Sequence, residues 1–314
     1  MVFSIEIRGV VQGVGFRPFI YNLASSMGLN GEVANNGYGV LILLDTTKEK
    51  ADEFIRKIRQ SKPPLSEIDS IKITQIAKTE SFESFSIKKS KSTKLLSSKI
   101  PSDIAMCAEC ESELKDKTNR RFEYPFITCT NCGPRYSIIK NLPYDRKNTS
   151  MDEFLMCQEC QNEYENPKER RYHAQTIGCH KCGPTLSLYE NSGKKIESKN
   201  IIDEVVKVIS EGKILAIKGI GGYHLVCDAS NDSAVKLLRE RKKRPSKPFG
   251  VMAKDIDASK QIAQINEKEE ALLNSNRRPI VLLQKRDDYA LSPFVAPNIN
   301  QIGLFLAYTP LHHL

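Results

Sequence analysis

Apolar and polar side chains alternate along "FSIEIRGV" (residues 3–10), the period of a strand with one buried face. The spacing turns helical at "PFIYNLASSMG" (18–28), where Phe19, Leu23 and Met27 share a face and Gly28 supplies a stop. "NGEVANNGYGVLILL" predicts two strands around a glycine-containing turn. "KEKADEFIRKIRQ" predicts a second helix with Phe54, Ile55 and Ile58 on one face, and "SIKITQIA" and "FSIKKS" two more strands. Residues 1–90 thus read β-α-β-β-α-β with an extra edge strand. The Ser/Lys-rich "KKSKSTKLLSSK" then predicts a linker, placed at 91–100. Beyond residue 200, "IIDEVVKVISEG" is an amphipathic helix, "ILAIK" a buried strand, and "FGVMAK" and "PIVLLQK" later strands with helical patterns between them. The last residues, "LAYTPLHHL", show no pattern for a closing helix.

Between these regions, residues 101–190 repeat themselves at an offset of 50: "CAEC" with "CQEC", "RRFE" with "RRYH", "CTNCGP" with "CHKCGP". Eight of the nine cysteines sit in these copies. Cys107, Cys110, Cys129 and Cys132 form C-x2-C-x18-C-x2-C, and Cys157, Cys160, Cys179 and Cys182 repeat that spacing. Two such knuckles supply four thiolates for a tetrahedral zinc ion with no open position, hence a structural metal. Two zinc ions are expected, each paired within its own repeat, with a crossed pairing as the alternative. His173 and His180 lie near these sites; His173 is expected to make hydrogen bonds or domain contacts, and Cys227 to be a buried apolar side chain.

The net charge is +9, with six basic residues between Arg239 and Lys247. Such a balance admits nucleic acid or phosphorylated small molecules as partners. No apolar run reaches membrane-spanning length and no signal peptide opens the chain, so no membrane partner and a cytoplasmic location are expected.

"GVVQGVGFRPF" (9–19) carries the most chemistry. Its three glycines let successive N–H groups turn inward, and Pro18 places that nest at a helix N-terminus. Arg17 adds a planar fork that matches phosphate, and no acidic residue interrupts the stretch. The expected cradle comprises Gln12, Gly13, Val14, Gly15, Phe16 and Arg17. The same residues, with "GEVAN" and its Asn35 downstream, resemble the signature of acylphosphatases, whose fold is ferredoxin-like. The resemblance implies that Arg17 and the loop amides hold phosphoryl oxygens while Asn35 orients a water.

"KGIGGYHLVCDA" and "RKKRPSKPFGVMAK" resemble the YrdC-like nucleotide-binding domain of enzymes that make threonylcarbamoyl-adenylate. Lys242, Arg244 and Lys247 match its basic positions, implying ATP as a substrate, with magnesium. The predicted fold class is therefore α+β multidomain: a ferredoxin-like acylphosphatase domain (1–90), tandem four-cysteine zinc repeats (101–190) and an incomplete α/β YrdC-like domain (200–314). This order resembles the HypF family of nickel–iron hydrogenase maturation carbamoyltransferases. The resemblance implies hydrolysis of carbamoyl phosphate, formation of carbamoyl-adenylate from ATP, and transfer of the carbamoyl group to a cysteine thiol of the partner HypE for the cyanide ligands of the iron. Family chains are far longer, so this one is expected to be a truncated form. The alternatives are a zinc-ribbon RNA-binding or tRNA-modification protein, or an acylphosphatase with a structural zinc scaffold. Nucleic acid is not the expected partner, because the repeats lack interleaved aromatic and basic residues.

Overall fold

The structure is a computed structural model that describes residues 1–77, 82–88, 99, 102–132 and 135–314. Apart from Lys99, the expected linker lies outside the described residues. The described residues form two compact units: Met1–Asp103 with Asp116–Phe122 and Phe126–Pro184, and Ile104–Lys115 with Glu123–Pro125 and Thr185–Leu314.

The first unit opens with β1 (Val2–Val10), α1 (Phe16–Ser26), β2 (Asn30–Asn36), β3 (Gly39–Asp45), α2 (Lys48–Ser61), β4 (Glu67–Ile76) and β5 (Phe85–Ile87). The strands join in the order β4-β1-β3-β2-β5, antiparallel except where β5 runs beside β2. This is the ferredoxin-like sheet with its extra edge strand. Alternation sets the register: Ile5 pairs with Ile42 and Ile73, Ile7 with Val40 and Ile71. Ile5 and Ile7 are fully buried in one core with Phe54 and Ile58 of α2. Slipping either strand by one residue would turn that apolar set to solvent.

α1 departs from the expected helix by starting at Phe16. Gly15 caps it in the left-handed region, and Phe19 N donates to Gly15 O at 3.0 Å to close the first turn. The buried face is therefore Phe16, Ile20 and Ala24, while Phe19, Leu23 and Met27 pack on its flank. The earlier start puts Arg17 inside the first turn, where Pro18 is tolerated because the first N–H groups have no partner within the helix.

The cysteine repeats match in backbone as well as sequence. α3 (Ala108–Lys115) follows Cys107, and α4 (Gln158–Glu165) follows Cys157. Glu111 N donates to Cys107 O at 3.0 Å, and Gln161 N to Cys157 O at 2.9 Å. Glu123 and His173, fifty residues apart, both sit at φ 53. Two arginines exchange equivalent roles: Arg121 Nε donates to Gly178 O, and Arg171 Nε to Thr128 O, each at 2.9 Å.

In the second unit, β6 (Leu188–Tyr189) and β7 (Lys195–Ile196) make a hairpin, followed by α5 (Ile201–Ser210), β8 (Leu215–Lys218), β9 (Tyr223–Val226) and α6 (Asp232–Arg241). Then come β10 (Gly250–Ala253), α7 (Ile256–Ile262), β11 (Ala263–Gln264), α8 (Glu267–Asn274), β12 (Val281–Lys285), β13 (Gln301–Leu306) and α9 (Pro310–His313). β10-β13-β12-β11 form one mixed sheet, with Leu283, Ile302 and Leu304 at its fully buried centre. Three expectations are corrected here. "ILAIK" forms β8 but is not buried, because it pairs in a separate hairpin with β9 and alternates half-buried with exposed positions. A short closing helix does form: Thr309 caps it, its hydroxyl accepting from His312 N at 3.1 Å, and Pro310 takes the first turn. Cys227 is only half-buried, at the margin of the core.

Candidate active site and metal centres

The loop between β1 and α1 turns on Gly13 and Gly15, both at φ 73, a conformation that costs glycine nothing. A Cβ on Gly15 would lie 3.3 Å from Thr130 Cβ, so the position also lacks room for a side chain. The turn delivers Arg17, 8% exposed, to the buried Asn35 of β2. With its amide oxygen facing the guanidinium, Asn35 accepts from Arg17 Nε at 3.2 Å and Nη2 at 3.3 Å. A cavity of about 30 Å³ adjoins them. Gly13, Gly15, Phe16, Arg17 and Asn35 line one part of it; Thr130, Tyr144, His173 and Gln175 from the cysteine region line another.

Two residues of the expected cradle serve the loop instead. Gln12 Nε2 donates to Asn36 O and Gly39 O, both at 2.8 Å, and its Oε1 accepts from Tyr144 N at 3.0 Å. Val14 is buried in the core. Neither lines the cavity.

No acidic residue interrupts the loop in sequence, but the fold brings one to it. Asp145 Oδ1 lies 3.0 Å from Arg17 Nη2, with both side chains largely buried. Only tertiary structure makes this pair. His173 also enters from afar. Burial and the Arg17 charge push its imidazole down to about 4, so it is neutral at neutral pH.

The cysteines form two groups, Cys107-Cys110-Cys129-Cys132 and Cys157-Cys160-Cys179-Cys182, each with its sulfurs within 4.8 Å of one another. The pairing is within each repeat, not crossed. Sulfur separations are 3.9 Å for Cys129–Cys132, 3.8 Å for Cys157–Cys179, 3.7 Å for Cys179–Cys182 and 3.5 Å for Cys160–Cys182. Disulfides are far shorter. A tetrahedron with metal–sulfur bonds of about 2.3 Å has edges of about 3.8 Å, so the thiols fit a closed four-sulfur metal site. Around the second group, Arg120 Nη2 and Arg121 Nη2 approach Cys160 Sγ at 3.2 and 3.5 Å, and both guanidinium groups pair with Glu163. Burial pushes the free Cys160 thiol up to about 12, so these cations favour the thiolate a metal needs. His180 Nε2 lies 2.8 Å from Phe122 O.

In the third region a cavity of about 810 Å³ is lined by Lys242 and Arg244, with Tyr223, His224 and Phe249. Lys247 is not among the lining residues; its carbonyl accepts from Arg239 Nη1 at 3.2 Å and Arg244 Nε at 3.0 Å. Arg239, one of the basic run, is buried: it donates to Arg244 O at 2.8 Å and Val295 O at 3.0 Å, fixing the loop from within.

Family patterns match this layout: acylphosphatase at 3–87, the HypF finger at 106–139 and 156–189, and the Sua5–YciO–YrdC pattern, described as telomere recombination, at 207–314. The probable carbamoyltransferase HypF of Methanocaldococcus jannaschii is 50% identical over 319 residues, covering all of this chain and 41% of that protein. HypF carbamoyltransferases are thus homologues of this chain over its whole length. A crystal structure of full-length HypF in a phosphate- and nucleotide-bound form superposes with a TM-score of 0.92 at 43% identity, over 99% of this chain and 40% of that one. HypF from T. kodakarensis gives 0.89 at 45% identity, over 99% and 40%. The chain thus spans about two fifths of the length of these HypF relatives. Among the described residues no helix is long and apolar enough to cross a membrane.

Proposed function

We propose that the Arg17–Asn35 site binds the phosphoryl group of carbamoyl phosphate and hydrolyses it to carbamate and phosphate. The observation that carries this reading is the contact between Arg17 and Asn35 beside a small cavity at the glycine loop. Arg17 and the N–H groups at the start of α1 hold the phosphoryl oxygens. Asn35, its oxygen held by Arg17, turns its Nδ2 to a water placed for in-line attack at phosphorus. The acyl phosphate is already activated, so positioning and charge stabilisation suffice. His173 and Gln175 restrict the cavity to a small acyl group, which favours carbamoyl phosphate over bulkier acyl phosphates.

The rest of the reading follows family resemblance. The Lys242–Arg244 cavity takes ATP with magnesium and joins carbamate to AMP, releasing pyrophosphate; the complete protein passes the carbamoyl group to a cysteine thiol of HypE, in the cytoplasm. Each four-cysteine group holds one zinc ion, which supplies folding energy and leaves no position for water. Calorimetric titration with inorganic phosphate tests the first site. The wild type binds, and Arg17→Lys, which keeps the charge but loses the fork, binds at least tenfold more weakly. Equal affinity in the two proteins overturns the assignment.

A further inference from the structure

We infer that Asp145 is a positioning residue for Arg17, so that the segment joining the two cysteine repeats is part of the phosphoryl site. The inference rests on the reading of Arg17 as the phosphoryl ligand. Asp145 Oδ1 pairs with Arg17 Nη2 at 3.0 Å, and Tyr144 O accepts from the same nitrogen at 3.5 Å. Asn35 takes Nε and Nη2. One edge of the guanidinium is thereby held by protein, leaving Nη1 free of these contacts. Asp145 does not line the cavity although Arg17 does, so the carboxylate braces the fork without occupying the ligand's space.

The brace is itself anchored. Tyr144 N donates to Gln12 Oε1 at 3.0 Å, and Arg146 N donates to Gln175 Oε1 at 2.7 Å. Arg146 also donates to Gln175 O and Ile177 O at 2.9 Å and to Phe154 O at 2.7 Å. Residues 144–146 are thus tied to the glycine loop on one side and to the second repeat on the other.

A buried guanidinium needs a counter-charge. Asp145 supplies it in the free protein, and a bound phosphoryl group adds a second anion. Removing the carboxylate leaves phosphate as the main counter-charge while the fork loses its fixed orientation. Ground-state binding should tighten and turnover should fall, because the gain goes to the ground state while a fork without its fixed orientation fits the transition state less well. The test uses Asp145→Asn in the whole chain, with zinc content confirming an intact second repeat. Phosphate affinity should rise severalfold and kcat for carbamoyl phosphate should fall about tenfold or more. Asp145→Glu should recover part of kcat. If wild type and variant agree in both quantities, or if Asp145→Asn weakens both together with no recovery in Asp145→Glu, the inference is overturned. Failure of the wild type to bind phosphate at all would instead overturn the underlying reading.

Discussion

Arg17 shows what one side chain gains from a glycine turn. The turn begins α1 two residues earlier than periodicity suggested and sets the guanidinium against Asn35. Gly15→Ala should destabilise the protein by about 1–2 kcal/mol, because alanine is strained at positive φ and Thr130 lies against the new methyl; chemical denaturation measures it. His173 gives a pH signature. Its folded-state pKa of about 4 lies below the ordinary 6.5, so the unfolded chain binds the extra proton first as pH falls. The stability this contributes is complete above pH 6.5 and is lost on acidification towards 4. His173→Asn, which tolerates the left-handed backbone, should flatten the melting temperature over that window. An unchanged slope would remove His173 from the acid response. Arg17, Asn35 and the eight cysteines were legible because each sits in a local spacing. Asp145 and His173 were not, because only the folded chain brings them to Arg17.

At the scale of elements, alternation and helical spacing gave the first sheet in order, since burial of one face sets both register and period. The third region was read less well. β8 looked like a buried strand because its composition is apolar, yet its only partner among the described strands is β9. The basic run mixed two functions that charge alone does not separate: Arg239 is a buried brace, and Lys242 and Arg244 face a cavity. Lys242→Ala should therefore weaken ATP binding by roughly tenfold while Lys247→Ala leaves it within about twofold, on the scale expected for losing one charge contact; ATP titration decides. Unchanged affinity in Lys242→Ala, or an equal loss in Lys247→Ala, would contradict the division of the loop. In the cysteine repeats, Cys179→Ser should lower bound zinc from two ions per chain to one, because each group draws its ligands from one repeat. Metal analysis showing complete loss, or none, would contradict independent sites.

Across the whole molecule, the proposed phosphoryl site draws on two regions that the sequence presents as separate. The glycine loop and β2 bring Arg17 and Asn35, and the cysteine region brings Tyr144, Asp145, His173 and Gln175. On the proposed reading, a chelator that strips the second repeat should lower carbamoyl phosphate hydrolysis although no thiolate acts on the substrate. The central claim is that Arg17 and Asn35 carry out that hydrolysis, and phosphate release from carbamoyl phosphate tests it most directly. Wild-type chain should release phosphate. Arg17→Lys should lose both affinity and turnover, and Asn35→Ala should lose one or more orders of magnitude in kcat with a smaller change in phosphate affinity. Turnover at the wild-type rate in Asn35→Ala, or in both variants, would contradict the account.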